Sequence, residues 1–266
     1  MIIIKVGGGE KTNWDGIAND LVNLSQLEKI VLVHGASVRR DEVAQKLGAP
    51  TKTVVSPSGI SSVYTDNKAI EVFLMVYAGL TNKQIVAKLQ KYGLNAIGLS
   101  GVDGKLWQAK RKNDLLVAEN GKVKLIKDNL TGRVERINTD LINLLVENNY
   151  IPVLCPPAIS FENEIVNTDN DLATAQMAES LGVKEIVVLF EAPGMLENFP
   201  DEKSVINNIS KKDLELYMEQ AKGRMKKKIL GAKKAFEMGV TKIYWGDSRI
   251  EHPVLSAMEG KGTVID

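Results

Sequence analysis

Short apolar runs recur along the chain, at residues 2–6, 30–33, 53–55, 96–99, 151–155, 186–190 and 242–245. Most are continuous rather than alternating. An unbroken apolar strand hides both of its faces, as the inner strands of a mainly parallel sheet do when helices cover each side. The segments between the runs have helical spacing. Trp14, Ile17, Ala18, Leu21 and Leu24 fall on one stripe, Leu141, Leu144 and Leu145 behave alike, and so does the stretch 171–181. This alternation predicts an α/β protein: a three-layer sandwich with a mainly parallel central sheet and right-handed crossovers.

The middle of the chain reads differently. Residues 115–118 and 122–126 flank Glu119-Asn120-Gly121, and Asn-Gly supplies the positive φ angles of a tight hairpin turn. Residues 106–109 and 132–137 are expected to extend this β-hairpin patch. A length of 266 residues allows one large domain or two intimate lobes. A boundary near residues 161–166 divides the chain into an N-terminal lobe, 1–164, and a C-terminal lobe, 165–266.

The formal net charge of +1 creates no global field that would demand nucleic acid or an anionic membrane as partner. The single cysteine, Cys155, follows Val153 and Leu154 and reads as a buried structural thiol, with no disulfide framework available to it. No apolar run approaches the ~18 residues that span a bilayer, and the N-terminus lacks the pattern of a signal peptide. The expectation is a soluble, cytoplasmic protein.

The candidate chemistry gathers at strand ends. The first run ends in Lys5-Val6-Gly7-Gly8-Gly9. A loop leaving the C-terminal end of a parallel strand is where α/β proteins bind ligands, and glycine lets backbone N–H groups approach anionic oxygens. Phosphate binding is one reading, and a tight turn with a lysine that snorkels outward is the other. The loop is neither a Walker loop nor G-x-G-x-x-G. The second run ends in His34-Gly35-Ala36-Ser37 before a helical segment and repeats the device. His34 is read as a structural hydrogen-bonder, with a general base as the alternative. Asn167-Thr168-Asp169-Asn170-Asp171 precedes a helix, and an N-cap needs only one of these side chains. No bidentate glutamate follows at EF-hand distance, so calcium is not expected. Late in the chain, Gly223-Arg224-Met225-Lys226-Lys227-Lys228 opens a helix. Lysines oppose the positive end of the helix dipole there, and an anion held at that terminus would resolve the conflict. The other reading is a solvated face.

Taken in order, strand–Lys-x-Gly-Gly, His-Gly after the second strand, Asn-x-Asp-x-Asp before a helix and Gly-x-Met-x-x-Lys near the end resemble the amino acid kinase family. The likeness covers essentially the whole chain. It is nearest to the acetylglutamate kinase-like branch, and within it to the LysW-linked aminoadipate and glutamate kinases of lysine and arginine biosynthesis. Ser56-Pro57-Ser58-Gly59, Tyr64-Thr65, GLSGVDG at 98–104, AKRK at 109–112 and Thr131-Gly132-Arg133-Val134 carry this second likeness.

The resemblance implies transfer of a phosphoryl group from ATP, with Mg2+, to a side-chain carboxylate. Lys5 and Lys228 match the lysines that stabilise the transition state, and Asp171 the aspartate that orients them. Gly35, Ala36, Ser37, Val63 and Asn167 fall at substrate-binding positions. Gly7, Gly8, Asp169, Phe190, Gly194 and Met225 fall at ATP-binding positions, and no protein metal ligand is implied. A homodimer and an acidic carrier protein of the LysW type are the implied partners. Lys110, Arg111, Lys112, Lys122, Lys124 and Arg133 would form a basic docking patch on the hairpins, the alternative being edge strands kept soluble by lysine.

Some positions depart from the family pattern. Ala36 and Ser37 stand where glycines are usual, Phe190-Glu191-Ala192 replaces Ser-Asp-Val, and Val63 replaces the arginine that would grip the substrate α-carboxylate. Arg39 and Arg40 follow the altered loop. They read as surface residues on a helix, with compensation for the missing arginine as the alternative. The departures leave open an acetylglutamate kinase, another family kinase with an altered substrate, or a non-catalytic paralogue.

Overall fold

The computed structural model describes residues 1–266 except Ser58, Ile60, Asn113, Asn120, Gly121 and Lys222, and except the side chains of Glu119, Gln220 and Arg224. In chain order the strands are β1 (Ile2–Val6), β2 (Ile30–His34), β3 (Lys52–Val55), β4 (Ser61–Tyr64), β5 (Ala96–Gly101), β6 (Trp107–Lys112), β7 (Leu115–Glu119), β8 (Lys122–Ile126), β9 (Thr131–Ile137), β10 (Ile151–Ser160), β11 (Ile165–Thr168), β12 (Glu185–Phe190), β13 (Asn208–Ile209), β14 (Lys242–Asp247) and β15 (Thr263–Ile265). The helices are α1 (Trp14–Leu24), α2 (Ser37–Lys46), α3 (Asn67–Phe73), α4 (Asn82–Lys91), α5 (Thr139–Glu147), α6 (Asn170–Leu181), α7 (Leu214–Gln220), α8 (Gly223–Glu237) and α9 (Pro253–Met258), with a π-helical segment, Leu74–Thr81, joining α3 to α4.

The long apolar runs do become the middle of one sheet. Its order is β11-β9-β6-β10-β2-β1-β12-β14-β15-β13, with β5 paired to β10. β10, β2, β1, β12 and β14 run parallel, and β15 and β9 add antiparallel pairings at the two sides. Every residue of β1 and β2 is buried, which is why their sequences are continuous rather than alternating. One apolar layer holds Ile3, Val31, Leu154, Ile186, Ile229 and Trp245. The opposite layer holds Ile4, Ile17, Leu21, Leu32, Leu89 and Val187. Successive strand residues feed opposite layers, the two-residue period of the pleat.

The run at 53–55 behaves otherwise. β3 pairs only with β4, in a two-stranded hairpin outside the main sheet, and most of its residues are exposed. A short strand with one partner, outside the main sheet, is not covered on both faces, so its local pattern misleads. The central hairpin forms in the expected antiparallel register, Leu115 opposite Ile126. Its Asn120-Gly121 turn lies outside the described residues. β6 and β9 pair with each other and belong to the main sheet, so the hairpin β7–β8 is a separate sheet rather than part of one patch. The basic residues divide in the same way. Lys110, Lys112 and Arg133 stand on the main sheet, Lys122 and Lys124 on the hairpin, and Arg111 is tied to Glu164 at 2.5 Å. Among the described residues no helix is long and apolar enough to cross a membrane.

Candidate functional site

The two glycine loops meet backbone to backbone. Gly7 N–H donates to Leu189 O at 2.8 Å, Gly35 N–H to Val6 O at 2.9 Å and Val38 N–H to Gly8 O at 3.1 Å. A Cβ on Gly8 would lie 2.4 Å from Ser37 N, 2.6 Å from Ala36 N and 2.9 Å from the Gly35 carbonyl carbon. None of these atoms is the end of a flexible side chain. Gly8→Ala is therefore expected to part the loops, costing about 1–3 kcal/mol of stability and about 100-fold in kcat/KM. Urea unfolding and steady-state kinetics measure the two effects. A cavity of about 120 Å³ opens at this junction, lined by Gly7, Gly8, Gly9, Gly35, Ala36 and Thr81 among others.

Lys5 does not snorkel. It is 5% exposed, and its Nζ lies 2.6 Å from Asp171 Oδ1. Asp169 explains how Asp171 is free to make this pair. Asp169 Oδ1 accepts the N–H groups of Asp171 and Leu172, so it is the cap of α6, and Asp171 in the first turn projects into the site. Lys228, in the opening turns of α8, sets its Nζ 4.5 Å above the Phe190 ring. Phe190 is itself held edge-on by Trp245, centroids 6.0 Å apart. The approach of α8 to α6 requires glycine, since a Cβ on Gly231 would stand 2.7 Å from Asp171 Cβ. Val188, Ile186, Ala232 and Trp245 make an apolar floor under the three charged groups.

The charges perturb one another. Burial and the nearby Lys5 ammonium push Lys228 down to about 8, against the pull of Asp171. Burial would raise Asp171, but Lys5, Lys228 and Lys227 together bring it down to about 2. The site is thus a compact cationic group held by one carboxylate, with a net positive charge that a bound anion would offset. Burial lowers His34 to about 4. It is a neutral structural group whose Nε2 accepts from Asn82 Nδ2 at 3.1 Å. Cys155 is buried and its thiol is pushed up by desolvation.

A family model for the amino acid kinase family matches residues 1–245. The chain belongs to the amino acid kinase family. The [LysW]-aminoadipate kinase of Thermus thermophilus is 44% identical over the full length of both chains. That of Deinococcus radiodurans is 46% identical, covering all of this chain and 91% of its own. Among solved structures, N-acetylglutamate synthase from Neisseria gonorrhoeae superposes with a TM-score of 0.78 at 21% identity, over 99% of this chain and 58% of its own, a likeness of fold.

Within this amino acid kinase the remaining expected residues are spread more widely. Asn167 Nδ2 donates to Thr65 Oγ1 at 3.2 Å, tying β11 to the end of β4. Gly194 packs against Thr263, and Met225 lies against the apolar core. Val63, on β4, does not face the lysines. It packs in a satellite core with Phe73 and Cys155 and lines a second cavity. Arg39 is exposed and pairs with Glu42, as expected of a surface residue. Arg40 is not on the surface: it is 8% exposed and lies over the Phe73 ring at 5.0 Å. Two contacts escaped the sequence reading. The Glu191 carboxylate accepts the Lys11 N–H and stands against Gly9, joining the two strand-end loops. Asn170 Nδ2 donates to His34 O at 2.9 Å, fastening α6 to β2. No local pattern marks either contact, because both partners are far away in the chain.

Proposed function

We propose that this chain transfers the γ-phosphoryl group of ATP to the side-chain carboxylate of a 2-aminoadipate or glutamate carried on an acidic LysW-type protein, giving an acyl phosphate. The observation that carries the reading is the Lys5–Asp171–Lys228 group, buried at Lys5 and half-buried at the other two, beside the paired glycine loops. The full-length relatives named [LysW]-aminoadipate kinase point to the acceptor class.

The chemistry follows from charge. The attacking carboxylate is already ionised, so no general base is needed, and neutral, buried His34 is not called upon. An acceptor oxygen bonds to the γ-phosphorus while the bond to the β-bridging oxygen breaks and ADP leaves. The cost lies in bringing two anions together and in the charge of the transition state. Lys5 and Lys228 would meet that charge from their fixed places, and the N–H groups of the Gly7–Gly8 loop would meet the phosphate oxygens. Asp171 holds Lys5 in position and forbids it to follow the leaving group. Among the described residues no cluster of three acidic, histidine or cysteine side chains could hold a metal. A magnesium ion carried in with ATP would be held by the nucleotide's phosphates and would supply charge neutralisation there. The acceptor end is assigned to residues 1–164 and the nucleotide end to 165–266.

The carrier is assigned to the hairpin side. Lys122 is exposed there, as are the apolar Leu116, Val123 and Leu125, and the exposed Lys110 and Lys112 stand on β6, just before the hairpin in the chain. An acidic protein would meet both charge and apolar surface. Incubation with ATP, magnesium and the carrier-linked acid, with hydroxylamine trapping, is expected to yield a hydroxamate. The acceptor KM should rise with salt while that for ATP changes less. Absence of hydroxamate from carrier-linked aminoadipate, carrier-linked glutamate and N-acetylglutamate alike, together with failure to bind ATP, refutes the reading.

A further inference from the structure

Lys228 reaches the site without a carboxylate of its own. Asp171 is paired with Lys5 at 2.6 Å, and among the described residues no carboxylate lies within ion-pair distance of Lys228. Asp171 and Asp169 of α6 act on it from farther off, and the Lys5 ammonium of β1 opposes it. The neighbouring helix α7 turns its Glu215 to Lys233 instead. β12 and β14 bring Val188, Phe190, Ile243 and Trp245 against the site, none of them ionisable. An ammonium that is desolvated and faced by a like charge needs another negative counterpart to stay protonated.

The face of the Phe190 ring is that counterpart. An aromatic face carries the negative part of the ring quadrupole, and it holds a desolvated ammonium more strongly than a solvated one. Lys228 Nζ stands 4.5 Å from the ring centroid. The ring has no freedom to turn away. It is 8% exposed, and Trp245 meets it edge-on with the planes at 80°. Its backbone is pinned as well, since Phe190 O accepts Ala192 N–H at 2.8 Å and Ser248 N–H at 2.9 Å. Gly7 lies against the same residue: a Cβ there would stand 3.7 Å from Phe190 Cβ. One side chain thus abuts the first glycine loop and carries the lysine that arrives from α8. The serine of the family pattern at this position offers no ring face, so the departure at Phe190 changes what supports the lysine.

We propose that Phe190 is a positioning residue whose ring face holds the charged Lys228 ammonium where the transferring phosphoryl group meets it. The inference rests on the function proposed above for the reaction that Lys228 serves, but the contact itself is read without turnover. In ligand-free protein carrying isotope-labelled lysine, NMR should show the Lys228 ε-methylene displaced upfield by the ring current, the resonance being assigned by its loss in Lys228→Arg. Its titration midpoint, about 8 in the wild type, should fall by about one pH unit in Phe190→Leu, which keeps an apolar side chain but no ring face. Phe190→Tyr, which keeps the face, should titrate near the wild type. In hydroxamate assays Phe190→Leu should lower kcat by about 10-fold with less effect on the acceptor KM. The alkaline limb of kcat/KM should move down by the same amount as the midpoint. An undisplaced Lys228 resonance in the wild type overturns the inference whether or not any variant folds, and so does an unmoved midpoint in folded Phe190→Leu. A displaced resonance and a lowered midpoint without hydroxamate from any acceptor leave the hold of Phe190 on Lys228 standing and remove the proposed reaction. Hydroxamate formed with an alkaline limb unmoved by Phe190→Leu does the reverse.

Discussion

Lys228→Met should lower kcat by about 1000-fold and at the same time raise the thermal midpoint of the ligand-free protein. The two effects have one cause. Burial and the neighbouring Lys5 charge hold the Lys228 ammonium down to about 8, below its ordinary value of 10.5. A lysine whose pKa is lower folded than unfolded destabilises the protonated native state. That cost is fully present below pH 8 and is relieved as pH rises from 8 to 10.5. The difference bounds the cost at about 3 kcal/mol, part of it shared with Lys5 and Asp171. Methionine keeps the stem over Phe190 and removes the charge, so a gain of a few degrees is expected by calorimetry at pH 7. The same shift predicts an alkaline fall in kcat/KM centred near pH 8 for the free enzyme. Lys228→Arg should move that limb to higher pH, because a guanidinium stays protonated throughout. A methionine variant of unchanged kcat would remove Lys228 from the reaction.

The central sheet was legible in the sequence because a strand buried on both faces leaves an unbroken apolar run. Residues 2–6, 30–33 and 186–190 all become inner strands. Residues 53–55 carry the same local pattern and form an exposed hairpin, because coverage is decided by what packs on a strand and not by the strand itself. The site divides along similar lines. Lys5 and Asp171 stand out as charges at a strand end and a helix start, and Lys228 through the Gly-x-Met-x-x-Lys pattern; the structure brings the three together. The burial of Arg40 is not legible, because the ring that holds it, Phe73, comes from a later helix, and nothing in SVRRDEVAQK tells Arg40 from exposed Arg39. Glu191 departs from the family pattern, but its bond to Lys11 depends on two loops converging across the sheet.

Asp171→Asn should abolish most turnover and also unfold the protein more readily. Lys5 is nearly inaccessible, and Asp171 is its only ion-pair partner among the described residues. Removing one member of such a pair leaves an uncompensated buried charge, a loss of about 3 kcal/mol. Acid titration separates this from simple loss of packing. Asp171 is held down to about 2, against 3.8 for an ordinary aspartate, so its contribution is fully present above pH 3.8 and is lost as pH falls through 2. Urea midpoints of wild type and Asp171→Asn should therefore differ most at neutral pH and converge between pH 4 and 2. Lys5→Met combined with Asp171→Asn removes both charges and should recover much of the stability, since a buried pair replaced by neutral groups is often no worse than the pair. It should recover none of the activity, because the proposed reaction uses Lys5 as the cation opposite the phosphoryl group. If the double variant were as unstable as Asp171→Asn, the pair would be holding the fold through geometry rather than charge. If it turned over acceptor at the wild-type rate, the Lys5–Asp171 pair would have no part in phosphoryl transfer.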